Sequence, residues 1–115
     1  IAIDETNAEN GSVEMIPAMH KQGLLGEMWA PLTDADTAHA AYEPVHCQPG
    51  DAVFFDSYAP HRSLPNKTEK ARRVLYITFN GISQGDHRAK YYADKRKSYP
   101  PDIERDSGKH YAFKV

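Results

Sequence analysis

The 115-residue sequence has one cysteine, one tryptophan and no long apolar run. A single cysteine excludes an intrachain disulfide and, by itself, a zinc knuckle, and it favours a reducing cytoplasmic location. Because a membrane-spanning helix needs about 20 apolar residues, the sequence predicts no bilayer span. No basic segment followed by an apolar one opens the chain, so no secretory signal is predicted. A net charge of −2 argues against nucleic-acid binding.

The length and composition indicate one small globular domain spanning residues 1–115, because 40% of the residues are hydrophobic and 26% are charged. The charge is unevenly distributed. Residues 1–66 carry ten acidic and two basic side chains, a net charge of −8, whereas residues 67–115 carry twelve basic and six acidic ones, a net charge of +6. The basic half could attract small anions, although a solvated helix and tail would explain it as well.

Short apolar runs separated by turn residues predict strands along most of the chain. Pro49-Gly50-Asp51 is a strong turn signal between two of them. Cys47 lies in one such run, where we interpret it as a small buried residue rather than a reactive thiol. The predicted strands are Ile1–Asp4, Ser12–Ile16, Glu43–Gln48, Ala52–Asp56, His61–Ser63 and Arg72–Asn80, with Tyr111–Val115 as a last strand or a docked tail.

One convincing helix is predicted, over Asp86–Lys97, and Pro100-Pro101 should end it. Asp34–Tyr42 could form a short helix within a long loop excursion. Strands of five to nine residues without β-α-β alternation indicate an all-β sandwich or barrel, here with a single covering helix.

The segment from His61 to Arg72 contains the candidate ligand-binding residues. Its two ends place a histidine and an arginine on either side of one short loop, so paired flanking strands would bring both to one barrel face. An arginine inside a barrel requires an anion, and its planar fork suits a carboxylate. A neutral imidazole can bind a metal ion. The pattern therefore predicts a site that binds a metal ion and a carboxylate together.

The same segment resembles the phytanoyl-CoA dioxygenase family. The pattern P-H-x-S-x-P-N, with an arginine eleven residues after the histidine, is similar to the distal half of that family's motif. The turn and strand Pro49–Phe55 match the segment ahead of it. Asn10–Lys21 resembles N-G-x-x-x-x-x-P-G-[ST]-H-K, with Ala18 and Met19 where glycine and serine or threonine are usual. The tail Tyr91–Arg105 resembles the aminoethylphosphonate-type branch.

The resemblance implies a partial double-stranded β-helix, of the jelly-roll or cupin-like kind, from an Fe(II)/2-oxoglutarate-dependent dioxygenase that hydroxylates a small substrate. It implies that His61 is the distal iron ligand. Arg72 would pair with the far carboxylate of 2-oxoglutarate, and Ser63 would hydrogen-bond the same carboxylate. Iron and 2-oxoglutarate would supply the oxidant, while the protein positions the reactants.

The family's proximal iron ligands, a histidine followed two positions later by aspartate or glutamate, are absent from the sequence. None of the six histidines has an acidic residue in that position. The resemblance places the pair just ahead of Ile1, so we expect the chain to be inactive alone, because one histidine cannot make a competent iron site. A divided jelly roll exposes sheet edges, which predicts a homo-oligomer or a strand-swapped dimer.

A second class of function stays open at this point. The chain could be a non-catalytic β module that binds a small anion through Arg72 or acts through oligomerisation. His20 lies in a family motif but is not an iron ligand there, and we expect a turn or capping role for it. Trp29 and the Tyr91-Tyr92 pair could line a substrate pocket or simply pack against the core or an interface.

Overall fold

A computed structural model describes residues 1–28 and 30–111, so Trp29 and residues 112–115 of the predicted last strand lie outside the described part. The chain divides into two compact units, Ile1–Ile77 and Thr78–Val115. The prediction that residues 1–115 form one domain stays a prediction.

Unit 1 contains a three-stranded antiparallel sheet in the order β2-β1-β3. The strands are β1 Val13–Met15, β2 Glu43–Pro44 and β3 His61–Ser63. β1 is central because its two edges bond to segments distant in sequence: Met15 is opposite Glu43 on one side and His61 on the other. The sheet confirms the predicted strands at these three places, with β3 at its predicted bounds and β1 and β2 shorter than their sequence patterns.

The first residues of the chain also lie between two other segments. Ala2 forms an isolated antiparallel bridge with Val74, and its backbone amide donates to the Asp51 carbonyl at 2.9 Å. On the other side of the bridge, the Leu75 amide donates to the Ile1 carbonyl at 2.9 Å. Hydrogen bonds thus hold Ile1–Asp4 in place, but the segment forms a single bridge and then bends at Ile3 and Asp4, so the predicted strand is not formed over its full length.

Two predicted strands differ in the structure. No residue of 52–56 belongs to a strand or a bridge, and within the described part of 72–80 only Val74 forms a bridge. Their β-branched and aromatic composition favours extended backbone, but a strand also requires a neighbour that supplies a continuous ladder. Ile1–Asp4 supplies one bridge to Val74 and no longer pairing, so high β-propensity alone did not produce a strand.

The turns follow the sequence more closely. The Asp51 amide donates to the Gln48 carbonyl at 3.0 Å, and Gly50 has a φ of 96°, which closes the predicted Pro49-Gly50 turn. The possible helix at Asp34–Tyr42 is instead a run of turns with isolated i+3 hydrogen bonds. A 3₁₀ helix, Met19–Gln22, follows β1.

Unit 2 contains the helix α1, Arg88–Ser98, flanked by the 3₁₀ helices Ile82–Gln84 and Asp102–Glu104. The predicted helix is confirmed, shifted by one or two residues, and it ends before Pro100 because proline cannot continue the hydrogen-bond ladder. No helix of the described residues is long and apolar enough to cross a membrane.

The apolar core of unit 1 is small. Its buried apolar residues are Ala2, Ile16, Met19, Cys47 and Ala59. Cys47 is a buried free thiol, as expected, and its amide donates to the Thr6 carbonyl at 3.1 Å. Hydrogen bonds and ion pairs also connect segments that are distant in sequence, among them Arg62 with Glu14 and Arg73 with Asp4.

Candidate functional site

β3 presents its residues alternately to the two faces of the sheet. His61 and Ser63 lie opposite Met15 and Val13 of β1 and share their face, while Arg62 lies opposite Glu14 on the other face. The structure therefore brings His61 and Ser63 together on one face, two residues apart. Both residues are exposed to solvent in this chain.

The imidazole of His61 is oriented by two contacts. Its Nδ1 lies 2.9 Å from the carbonyl oxygen of Ala59, and the ring of Phe55 lies 5.1 Å away at 56°. A hydrogen bond to a carbonyl requires Nδ1 to carry the proton, so Nε2 of the neutral ring has a free lone pair. Histidines that bind metals commonly donate their other ring N–H to a backbone carbonyl in this way.

Arg62 holds the opposite face of the same strand. Its Nε donates to Glu14 at 2.7 Å, and its guanidinium lies 4.0 Å from the centre of the Tyr42 ring. The two contacts connect β3 to β1 and to the chain just before β2, and they favour the register that places His61 opposite Met15. Sequence reasoning missed this cluster, since no local pattern connects residues 48 positions apart.

The loop after β3 is shaped by Gly11. This glycine has a φ of 76°, and a Cβ built on it would lie 2.5 Å from the Leu64 carbonyl oxygen. The Lys67 amide donates to Glu9 at 3.0 Å, and Asn66 bonds to the Lys70 carbonyl at 2.8 Å. The Asn-Gly pair near β1 thus shapes the loop that leads from His61 toward Arg72.

The two adjacent arginines after this loop have different environments. Arg73 makes a two-bonded ion pair with Asp4, with Nε and Nη2 at 2.9 and 2.8 Å from its carboxylate oxygens. These hydrogen bonds lower the pKa of Asp4 from 3.8 to about 2. Arg72 is half-buried and makes no hydrogen bond or ion pair within the part of the chain that the structure describes.

The alternation of the extended backbone places Arg72 on the side of Val74, whose bridge partner Ala2 is buried. Arg72 is therefore a half-buried cation on the same side as Val74, and no residue of the described part supplies its counter-charge, a situation that suits an anionic ligand. The neighbouring residue Arg73 instead connects two segments of the fold through its ion pair with Asp4.

A hollow of about 300 Å³ opens beside His61, with Phe55 and Ala59 among its lining residues. The side chains that line it are apolar except for those of Asp56 and of His20, which lies in the 3₁₀ helix Met19–Gln22. No local sequence pattern predicts this hollow, because the segments that line it are up to 44 residues apart, from Met15 to Ala59.

No group of three histidine, cysteine, aspartate or glutamate side chains comes together among residues 1–28 and 30–111. His61 fits one position of an iron site, because its Nδ1 is anchored and its Nε2 is available. The remaining positions of a two-histidine, one-carboxylate triad have no candidates beside it in the described residues. Among the described residues, the donor set at this position is thus one imidazole.

The small antiparallel sheet is compatible with a cupin-like fragment, and the comparison with known proteins identifies the family. Residues 1–74 match the family model described as phytanoyl-CoA dioxygenase (PhyH), a match that includes His61, Ser63 and Arg72. The chain belongs to the phytanoyl-CoA dioxygenase family, as its sequence motifs indicated.

Three relatives agree with this assignment. A methylphosphonate hydroxylase of Gimesia maris is 48% identical over 100 residues, which cover 86% of this chain and 38% of the relative. A 2-aminoethylphosphonate dioxygenase of an uncultured bacterium is 35% identical over 97% of this chain and 43% of its own length. The dioxygenase lolE1 of Epichloe uncinata is 31% identical over 103 residues, which cover 89% of this chain and 40% of the relative.

The chain therefore spans about two fifths of the length of the curated relatives it matches. No solved structure matches it.

Proposed function

We propose that this chain is the distal portion of an Fe(II)/2-oxoglutarate-dependent dioxygenase that hydroxylates a small phosphonate. Family membership and two relatives named for phosphonate substrates support the class of reaction. The observation that carries the proposal is the anchored His61, because a ring fixed at Nδ1 with a free Nε2 is prepared to bind a metal ion.

In this proposal, His61 is the distal iron ligand, and Arg72 and Ser63 bind the far carboxylate of 2-oxoglutarate. Arg72 is suited to that role because it is half-buried and has no counter-charge among residues 1–28 and 30–111, whereas Arg73 is already paired with Asp4. Ser63 follows His61 on the same face of β3. Iron and 2-oxoglutarate together would supply the oxidising power, and the contribution of this chain is to bind and orient.

The proposed architecture is part of a double-stranded β-helix. The sheet β2-β1-β3 and the bridges at Ala2 and Thr6 are compatible with a cupin-like fragment. Since the described residues supply one iron ligand, we propose that the chain does not turn over substrate alone.

A chimera tests this function. This chain would replace the matching segment of the Gimesia maris methylphosphonate hydroxylase, so that any catalytic site depends on His61. We expect phosphonate-dependent conversion of 2-oxoglutarate to succinate that requires added Fe(II), and we expect His61→Ala to abolish it. A chimera that folds, as judged by circular dichroism, but forms no succinate would contradict the proposal.

Substitutions of Arg72 and Arg73 form a matched pair that tests which of the two arginines binds 2-oxoglutarate. Removing a hydrogen-bonded charge partner costs about 3 kcal/mol, so Arg72→Gln in the chimera should raise the KM for 2-oxoglutarate by roughly 100-fold. Arg73→Gln should leave that KM unchanged and lower the melting temperature instead, because its carboxylate partner belongs to the protein. Steady-state kinetics at saturating phosphonate measure both, and equal KM values for the two variants would exclude Arg72 as the carboxylate ligand.

The second candidate function is a non-catalytic module that binds a small anion. The observation that favours it is the combination of an unpaired Arg72 with a single candidate iron ligand in the described residues. Such a module would be stabilised against heat by 2-oxoglutarate without iron, and its chimera would be inactive. A module that acts through oligomerisation alone would respond to neither compound.

A further inference from the structure

The hollow beside His61 carries an inference about the substrate, which rests on the proposed function. We infer that this hollow binds a zwitterionic aminoalkylphosphonate, with the carboxylate of Asp56 receiving the ammonium group and His20 donating to the phosphonate oxygens.

The hollow lies close to His61. Three of the lining residues contact or face His61: the Phe55 ring is 5.1 Å from its ring, the Ala59 carbonyl accepts from its Nδ1 at 2.9 Å, and Met15 is its register partner on β1. A molecule in the hollow therefore lies next to the proposed iron ligand. A volume of about 300 Å³ suits a small ligand.

The lining then limits the chemistry of the ligand. The lining side chains of Met15–Ala18, Phe54, Phe55 and Ala59 are apolar, and the two titratable lining residues are Asp56 and His20. Apolar walls suit a short alkyl chain. A ligand with opposite charges at its two ends matches the two polar residues, whereas a ligand with only a phosphonate group would meet the repulsion of a carboxylate.

Asp56 is available for such a ligand. Its Oδ1 accepts the Tyr58 backbone amide at 2.8 Å, a local turn contact that fixes the carboxylate, and it forms no ion pair within residues 1–28 and 30–111. The side chain is thus oriented without being neutralised. An ammonium ion is the natural partner for a carboxylate in this situation.

His20 is placed by an unusual backbone feature. The residue before its 3₁₀ helix, Ala18, has a φ of 61°, which turns the chain sharply after Pro17 and brings His20 to the rim of the hollow. A ring N–H of histidine can donate to an anionic oxygen.

The presence of Asp56 in the hollow predicts a different substrate preference from the one that overall sequence identity would suggest. The two bacterial relatives are named for substrates that differ by an aminomethyl group, and the methylphosphonate relative has the higher identity, 48% against 35%. The carboxylate in the hollow favours the amine-bearing substrate instead.

The test compares 2-aminoethylphosphonate with ethylphosphonate, which has the same carbon chain and no amine, by saturation-transfer NMR on the 115-residue chain. We expect tighter binding of the aminoethyl compound. Asp56→Asn should weaken that binding roughly fivefold, the value of an ion pair in partial contact with water, and leave ethylphosphonate unweakened. The asparagine Oδ1 can still accept the Tyr58 amide, so the local turn is retained.

Asp51→Asn is the matched control, because Asp51 lies at the Pro49-Gly50 turn and does not line the hollow. It should change neither affinity. His20→Leu should weaken both phosphonates. Equal binding of the two phosphonates by the parent chain, absence of binding of both, or an equal loss in Asp56→Asn for both would each overturn the inference.

Failure of this inference and failure of the proposed function are distinguished by activity of the chimera. A chimera that turns over a phosphonate without preferring the amine contradicts only the role of Asp56. An inactive chimera together with amine-selective binding by the chain contradicts only the dioxygenase function.

Discussion

Single residues in this chain have roles that their neighbours do not share. Arg72 and Arg73 are identical in type and adjacent, yet one makes a two-bonded ion pair with Asp4 and the other has no partner in the described residues. The difference follows from the alternation of extended backbone, which points successive side chains to opposite sides.

The Asp4–Arg73 pair predicts a pH dependence. Its hydrogen bonds lower the pKa of Asp4 to about 2 from 3.8 in the unfolded chain, so the folded state holds this proton more weakly. The stabilisation is present above pH 3.8 and is lost as the pH falls toward 2. We expect Asp4→Asn to melt below the parent at pH 6 and to converge with it near pH 2.

Thermal denaturation at a series of pH values measures that convergence. Asp56→Asn serves as a control, because no ion pair holds Asp56 in the described residues. A gap between the parent and Asp4→Asn that is constant from pH 6 to pH 2 would contradict the assignment.

Ala18 is the one non-glycine residue with positive φ in the described chain, at 61°. It stands where the family motif has glycine, so the sequence departs from the family while the backbone keeps the conformation that glycine favours. A left-handed alanine costs about 1 kcal/mol, and the extra freedom of an unfolded glycine offsets part of any gain.

Ala18→Gly should therefore stabilise the chain by about 0.5 kcal/mol in urea denaturation. The comparison is Ala38→Gly, an exposed turn alanine without positive φ, which should be slightly destabilising. Destabilisation by Ala18→Gly as large as by Ala38→Gly would show that the left-handed backbone is not strained.

At the scale of elements, the loop after β3 depends on a glycine more than fifty residues away in sequence. Gly11 and Gly23 have nearly the same φ, 76° and 75°, but a Cβ on Gly11 would meet the Leu64 carbonyl oxygen at 2.5 Å whereas a Cβ on Gly23 would meet nothing within 4 Å. Substituting alanine at each position therefore compares an added Cβ that meets backbone atoms with one that meets open space.

Gly23→Ala should lose about 1–3 kcal/mol, because Gly23 combines its positive φ with a ψ of −149°, a conformation that is essentially restricted to glycine. Gly11→Ala should lose about 1–3 kcal/mol more, because backbone atoms of the loop must move. Denaturation measures the stabilities, and NMR shifts of Leu64 and Asn66 should change only in Gly11→Ala. Equal losses in the two variants would mean that the loop tolerates the contact.

At the scale of the molecule, large apolar side chains remain on the surface of unit 1. Leu75, Tyr76 and Ile77 are 51, 67 and 64% exposed, in a segment whose ladder within the described residues is limited to the bridge at Val74. Extended, apolar and incompletely paired segments favour association with other chains. The expected homo-oligomer or strand-swapped dimer therefore stays a prediction with a structural reason.

Size-exclusion chromatography with light scattering should show association that increases with concentration. Tyr76→Lys should reduce it, because a charge on an exposed extended segment opposes pairing. Ile103→Lys provides the control, since Ile103 is 94% exposed but lies in a 3₁₀ helix. Association unchanged by Tyr76→Lys, or reduced equally by both variants, would place the contact elsewhere.

The sequence predicted local features well. The turn at Pro49-Gly50, the helix before Pro100, the burial of Cys47 and the strand at His61–Ser63 follow from the residues in each segment, and the structure confirms them. Motif residues in order also identified the family, because short spacings such as His61 to Ser63 survive in the sequence itself. The roles of His61, Ser63 and Arg72 and the cytoplasmic location stay predictions.

Tertiary structure decided what depends on distant partners. The strongly β-prone segments 52–56 and 72–80 did not become strands, because a strand requires a neighbour to complete its ladder and composition cannot provide one. The partner of Arg62, the difference between Arg72 and Arg73, and the hollow beside His61 all arise where separate segments meet. By itself the sequence determined which residues have side chains suited to binding a metal ion or an anion. The tertiary structure decided which of these side chains lie together, because contacts between segments depend on how the segments pair and not on spacing within one segment.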